Sequence, residues 1–330
     1  MKKFAGKTLI IVLIAGMIAA AVPMAALGVV ELSEDTDTAT QSLTSEAPAA
    51  QEEAQTWAQP AAEDMNGDMP LNVFDESAAK GNGSAKIDCS QAHLGYVGVQ
   101  AWESKRLKFQ VIKGSKTYNY DLPGDGTTTF FPLQSGNGSY TLRVMKNIVD
   151  NKYSPVYSTT CNANLDDEFQ PFIRPSIYVN YNADSACIAK AHELAESSET
   201  KLDFVAQVYK LITKNVRYDW NKAKTVQSGY VPVPDETLAT GKGICFDYAS
   251  LAASMLRSQG VPTKLIFGYV SPKGAYHAWN MFYTEETGWV TVSYEVSEDS
   301  WNRLDLTFSA NGKSSDFIGD GGNYSDVYYY

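Results

Sequence analysis

Histidine is scarce in this chain: His93, His192 and His277 are the only three in 330 residues. Cysteine is nearly as scarce, with Cys89, Cys161, Cys187 and Cys245. No CxxC and no HExxH spacing occurs, so the sequence gives a metal centre little support, and no cofactor is implied. Positive charge is short as well. The formal net charge is −11. A phosphate backbone is gripped by clustered Lys and Arg, so nucleic acid is not an expected partner. The first thirty residues hold no cysteine to carry a lipid. What is present is 44% hydrophobic and 20% charged residues, enough for a packed core in a length with room for two domains.

Lys2, Lys3 and Lys7 precede an uncharged run over residues 8–30. A positive start followed by an apolar segment is the pattern of an export signal. The run is also long enough to cross a bilayer as a retained anchor. Pro23 and the small residues Ala19, Ala20, Ala21, Ala25 and Ala26 suggest cleavage near Ala25 or Ala26. Residues 1–30 are therefore read as a secretory signal, with a membrane tether as the alternative. Either places the remainder outside the cytoplasm, secreted or at the cell surface. Residues 31–85 are dominated by Ala, Glu, Asp, Ser, Thr, Gln and Gly. Such a stretch buries too little to offset its ordering entropy, and it is expected to be a disordered acidic linker.

Strand-like alternation begins near Lys86. Residues 95–100, 107–112, 117–122, 127–133 and 140–145 read as strands, separated by turns such as Lys113-Gly114-Ser115 and Pro123-Gly124-Asp125-Gly126. Short strands at this spacing predict a small antiparallel sandwich over 86–164. It carries no set of acids, His or Cys suited to chemistry, which points to an adhesive or architectural role. Cys89 opens the segment and Cys161 closes it. In an oxidising compartment a disulfide between them is one reading; two independent thiols are the other.

Residues 165–330 form the second expected domain. A connector over 165–182, with Pro171 and Pro175, is expected on the surface. Helical periodicity follows at 186–195 and at 201–213, where Phe204, Val205, Val208, Leu211 and Ile212 share a face. Cys187 reads as core and His192 as a surface residue. A Gly- and Pro-containing loop over 228–243 delivers Gly241-Lys242-Gly243-Ile244-Cys245-Phe246-Asp247-Tyr248-Ala249. Tyr248, Leu251, Ala252, Met255 and Leu256 recur at helical spacing after it. Cys245 then falls in the first turn of a helix, where free N–H groups and the dipole favour a thiolate; a buried, inert cysteine is the alternative. A strand at 263–270 and another at 275–283 follow. His277, Trp279, Met281 and Tyr283 share one face of the second.

A neutral thiol is a poor acyl acceptor at neutral pH, and an imidazole at hand can take its proton. The imidazole needs a third group to orient it. Two tryptophan-led frames offer one: Trp289-Val290-Thr291-Val292-Ser293 and Trp301-Asn302-Arg303-Leu304-Asp305. Only the second ends in a carboxylate.

Gly243-Ile244-Cys245-Phe246-Asp247-Tyr248-Ala249, Tyr276-His277-Ala278-Trp279-Asn280 and Trp301-Asn302-Arg303-Leu304-Asp305-Leu306-Thr307-Phe308 together resemble the three motifs of the transglutaminase-like superfamily. Asn215-Val216-Arg217-Tyr218-Asp219 resembles the helix end that precedes its cysteine. The resemblance covers about 183–308. It implies an α+β, papain-like core, a Cys-bearing helix packed on an antiparallel sheet, here preceded by a small all-β sandwich. By motif position it implies Cys245 as nucleophile, His277 as base and Asp305 as orienting carboxylate. Leu306 stands where proline often follows the aspartate, and a further strand-like segment, 288–296, intervenes. The layout is similar to secreted or surface proteins of Gram-positive bacteria. The expected activity is cysteine-dependent acyl transfer on a protein or cell-wall peptide substrate, with hydrolysis favoured over cross-linking. A non-catalytic wall-binding module and a purely structural exported protein are the competing readings. An oxyanion donor beyond the Cys245 N–H is to be sought in 228–243. The closing tyrosines, Tyr328 to Tyr330, read as cover for a sheet edge or the core, with a glycan or wall-polymer contact as the alternative.

Overall fold

The computed structural model describes residues 30–31, 69–270, 275–294, 306–309 and 324–330. In chain order the strands of the N-terminal part are β1 (Val30–Glu31), β2 (Lys80–Gly81), β3 (Ala85–Asp88), β4 (Tyr96–Ala101), β5 (Leu107–Lys113), β6 (Lys116–Leu122), β7 (Thr129–Pro132), β8 (Gly138–Val149) and β9 (Lys152–Ala163). They form two antiparallel sheets, ordered β1-β9-β8-β5-β6 and β2-β3-β4-β7. Alternating residues of each sheet fill the space between: Ile87, Val97 and Val99 from one, Phe109, Val111, Leu142 and Val144 from the other, all buried. The expected all-β sandwich is therefore present.

Strand β9 is the element that alternation conceals. Pro155 interrupts it, and the β8–β9 register shifts at that point, between Val144 and Met145. Proline lacks the donor a regular ladder needs and is tolerated where a bulge relaxes the pairing. Order also begins earlier than composition implied. Phe74 lies so close to Gly98 that a Cβ there would meet its ring at 2.5 Å, and Val73 exchanges hydrogen bonds with the Tyr96 hydroxyl. Phe74, the Val73–Tyr96 bonds and the Asn72 bond to Pro175 O together anchor the end of the acidic stretch.

The connector is not a surface strap. Leu165, Phe169, Phe172, Ile177, Tyr178, Val179 and Tyr181 are buried, wedged between the sandwich and the helices. Its backbone stays satisfied there: Ile177 N–H donates to Phe130 O at 3.0 Å, and Ser250 Oγ donates to Tyr178 O at 2.6 Å. A cavity of about 610 Å³ remains at this junction, lined in part by Asn72, Phe130, Ser176, Tyr181, Gly229 and Val231.

Beyond it come α1 (Ala186–Glu196), α2 (Lys201–Asn215), β10 (Arg217–Tyr218), α3 (Trp220–Thr225), α4 (Pro234–Thr240), β11 (Lys242–Gly243) and α5 (Cys245–Ser258). The remaining strands are β12 (Thr263–Val270), β13 (Ala275–Thr284), β14 (Gly288–Tyr294), β15 (Leu306–Ser309) and β16 (Tyr324–Tyr329). The last five make one antiparallel sheet in the order β15-β14-β13-β12-β16. Helix α5 packs on β12 and β13 and is covered by α1, α2 and α4. The expected apolar stripe is buried, but so are Ser250, Ser254, Arg257 and Ser258 on its other sides. Arg257 survives there because Thr263 O, Arg174 O and Tyr330 O accept its N–H groups at 2.9, 2.8 and 2.8 Å. Burial still pushes its guanidinium down to about 10.

Helix α4 occupies part of the segment expected to be loop. Pro234 at its start, Asp235 and Glu236 in its first turn, and Gly241 at φ +62° after its end are regular start and stop signals. Seven residues are too few for periodicity to show. Cys187 is fully buried and His192 is exposed, 3.4 Å from Glu196. Strand β16 covers the free edge of β12, and Tyr330 is buried against Tyr118, Tyr120, Tyr178 and Phe267. Among the described residues no helix is long and apolar enough to cross a membrane; positions 8–29 lie outside them.

Candidate active site

The two glycines before Cys245 have different causes. Gly241 adopts the left-handed conformation that ends α4, and a Cβ there would stand 2.8 Å from Asn215 O. At Gly243 a Cβ would meet the Asp247 Cβ at 2.6 Å. Strand β11 can therefore pass against the first turn of α5 only as glycine. It pairs in parallel with β10, Arg217 opposite Lys242 and Tyr218 opposite Gly243. Asp219 N–H donates to Gly243 O at 2.8 Å, and the Asp219 carboxylate caps α3 through Lys222 N–H. The Asn215–Asp219 motif is thus the clamp that sets where α5 begins.

Cys245 is the first residue of α5, and Ile244, its N-cap, offers no side-chain cap. Asp247 does that work from inside the helix. Its fully buried carboxylate accepts the Ile244 N–H at 2.8 Å and the Tyr230 hydroxyl at 2.5 Å, and pairs with Lys222 Nζ at 2.8 Å. Lys222 also donates to the Tyr230 hydroxyl at 2.6 Å. The segment between α3 and α4 is thereby tied to the turn that carries the cysteine. Asp247, Lys222 and Tyr230 were not singled out from sequence. The one available signal was an acid two residues after the cysteine, at the third helical position.

The Cys245 thiol is half-buried. Burial pushes it up to about 11. The N–H groups of Ala278, Phe246 and Cys245 itself pull the other way, while the Asp247 carboxylate adds to the rise. This differs from the dipole-based expectation of a resting thiolate: desolvation and a neighbouring carboxylate outweigh the helix terminus. The Ala278 contact is the informative one, because it brings the sulfur against the peptide unit that follows His277. Strand β14 pairs with β13 only from Asn280 to Thr284, so that edge of β13 is not taken by β14 at Ala278.

His277 lies on β13, half-buried, opposite Gly268 of β12. Its ring is 6.4 Å from that of Trp279 and nearly parallel to it, as expected for residues on one face. The strand is locked to the cysteine helix by Asn280. Its Nδ2 donates to Ala249 O at 3.0 Å, one turn beyond Cys245, and its Oδ1 accepts from the Tyr209 hydroxyl at 3.3 Å. Tyr218 flanks the thiol; burial, then Cys245, then Asp247 push its phenol up to about 12, so it remains a donor at neutral pH. The structure therefore brings Cys245 and the backbone beside His277 together. Asp305 lies outside the described residues. Strand β15, which begins one residue later, is separated from β13 by β14, two strand spacings or about 10 Å. The described part of β14, GWVTVSY, contains no carboxylate.

A cysteine that opens helix α5 thus stands against the antiparallel strand that bears His277. Residues 188–294, about a third of the chain, match the model of the transglutaminase-like superfamily, whose members are cysteine proteases or acyltransferases. The match includes Cys245 and His277 and ends before Asp305. A UPF0252 protein of Methanocaldococcus jannaschii is 27% identical over 111 residues, 32% of this chain and 30% of that protein. The chain thus spans less than a third of that relative. A protein-glutamine gamma-glutamyltransferase of Pseudomonas aeruginosa is 31% identical over 90 residues, 23% of this chain and 14% of that one. Among solved structures, the periplasmic domain of TgpA from Pseudomonas aeruginosa is similar with a TM-score of 0.30 and 17% identity, over 66% of this chain and 72% of that one.

Proposed function

We propose that this chain is an exported thiol-dependent acyl-transfer enzyme that cleaves amide bonds in a protein or cell-wall peptide. The observation that carries the reading is that β13, which bears His277, is packed on α5, which opens with Cys245, and is locked to it by the Asn280 Nδ2 bond to Ala249 O. A thiol near 11 is almost wholly protonated at pH 7, so attack requires a base, and His277 is assigned that role. Cys245 Sγ adds to the carbonyl carbon as its proton passes to the imidazole. The carbonyl oxygen, now an anion, is placed toward the Cys245 N–H and the Tyr218 hydroxyl. The C–N bond then breaks, the imidazolium returns the proton to the leaving amine, and a thioester remains. Water attacks the thioester, releasing a carboxylic acid and the free thiol. Asp305 is assigned to orient the imidazole. Export is supported by the charged start and apolar run of residues 1–30.

Cross-linking is the second reading, favoured by the relative named as a gamma-glutamyltransferase; there a primary amine replaces water and a new amide forms. The test is iodoacetamide labelling at neutral pH, followed by mapping. Cys245 labelling should depend on His277 and slow in His277→Ala. A rate unchanged by that substitution would sink the enzyme reading. Incorporation of a labelled amine into a glutamine peptide then separates transferase from hydrolase.

A further inference from the structure

Cys89 directly follows β3, and Cys161 lies in β9. The two strands belong to different sheets yet touch, so the cysteines face each other across the sandwich rather than along one sheet. The two side chains are neighbours, and the segments on both sides of Cys89, β3 and the turn at 92–94, touch β9. Both backbones are held. Asp88, itself buried, accepts the N–H groups of Asp75 and Ser90 at 2.8 Å each, and Cys161 is in register with Tyr140 of β8. The pair is also asymmetric: Cys161 is buried and Cys89 half-buried, so one sulfur is open to a small reagent and the other waits behind it. The other two thiols are engaged elsewhere, Cys187 with the Asp235 carboxylate and Cys245 with the Ala278 N–H.

We infer that Cys89 and Cys161 are an oxidisable pair that forms a disulfide between the two sheets, with a low-molecular-weight disulfide as co-reactant. The Cys89 thiol, the more open of the two, gives up its proton and its sulfur attacks one sulfur of the reagent. The reagent S–S bond breaks, one reagent thiol leaves with a proton, and a mixed disulfide forms on Cys89. The Cys161 thiolate attacks the Cys89 sulfur and expels the second reagent thiol. The two cysteines lose two electrons and two protons, and the reagent gains both. The product ties the strand that receives the Asp75 segment to the edge region of the larger sheet. It also closes a loop of about 70 residues, a length at which a bridge constrains the unfolded chain strongly. None of this depends on Cys245 being a nucleophile.

The test uses the full chain as Cys245→Ala, so that a reactive thiol does not consume the oxidant. The protein is purified reduced, treated with oxidised glutathione, denatured, alkylated and weighed. One alkylated cysteine without reductant, three with it, and a mapped Cys89–Cys161 peptide pair are expected. The melting temperature should rise on oxidation by on the order of 10 °C, reverse with dithiothreitol, and not move in the added Cys161→Ser variant. Three alkylations without reductant, a bridge to Cys187, or glutathione that stays on Cys89 would each overturn the inference.

Discussion

Replacing Asp247 by asparagine separates two effects that usually move together. The carboxylate is fully buried and holds the Ile244 N–H, the Tyr230 hydroxyl and Lys222 Nζ. The amide keeps the shape but removes the charge and turns an acceptor into a donor toward one of these partners. Breaking one half of a buried pair costs about 3–5 kcal/mol. The Lys222 side chain is 27% exposed, so water can take up part of its charge, and about 2–4 kcal/mol is expected. The same change takes away a carboxylate that raises the Cys245 thiol, so the thiol becomes more acidic. At a pH of about 8.5, below the thiol's value of about 11, a lower value means more thiolate and faster alkylation. The D247N protein should therefore be less stable in urea and yet carry a faster-reacting Cys245. Lys222→Met alone should also destabilise, by leaving the carboxylate uncompensated, and the double variant should recover part of the loss. Strict additivity in that cycle, or slower alkylation in folded D247N, would refute the account.

Asn280→Leu leaves Ala249 O and the Tyr209 hydroxyl without the partners described above; a loss of about 2–4 kcal/mol is expected from two buried polar groups, measured by urea unfolding. Gly241→Ala combines φ +62° with a 2.8 Å approach to Asn215 O; it should cost at least about 1–2 kcal/mol and lower the melting temperature. In His277→Ala, with the thiol near 11, the alkylation rate of Cys245 should rise about tenfold per pH unit between about pH 7 and 10 without levelling; a plateau near neutrality would show that another group takes the proton.

Most of the sheet scaffold was legible because alternation and burial coincide. Strands β12 and β13 fall where apolar pattern alone put them, and α2 carries the expected Phe204, Val205, Val208 and Ile212 inward. Pattern failed where a local rule yields to the partner strand or to length: β9 with Pro155 at its bulge, and α4 with too few residues to repeat. The connector misled because prolines signal loops, whereas Phe169, Phe172 and Tyr178 decide where this one goes. At the site, Cys245 and His277 stood out as residue types with chemistry. Asn280, Asp247, Lys222 and Tyr230 did not, since their work is to fix a helix against a strand, and that is visible only when partners from distant segments meet. The thiol's acidity was misjudged for a related reason: the dipole is a property of the helix, but desolvation is a property of everything packed around it.

The three carbonyls gathered by Arg257 set a rule for cutting this protein. One comes from Arg174, 83 residues upstream, and one from Tyr330, 73 residues downstream. A fragment trimmed to the matched span, 188–294, would retain Cys245 and His277 but strand a buried cation with a single acceptor, Thr263 O. The smallest piece that expresses as a stable unit should therefore reach from before Arg174 through Tyr330, well past the limits that similarity alone would draw.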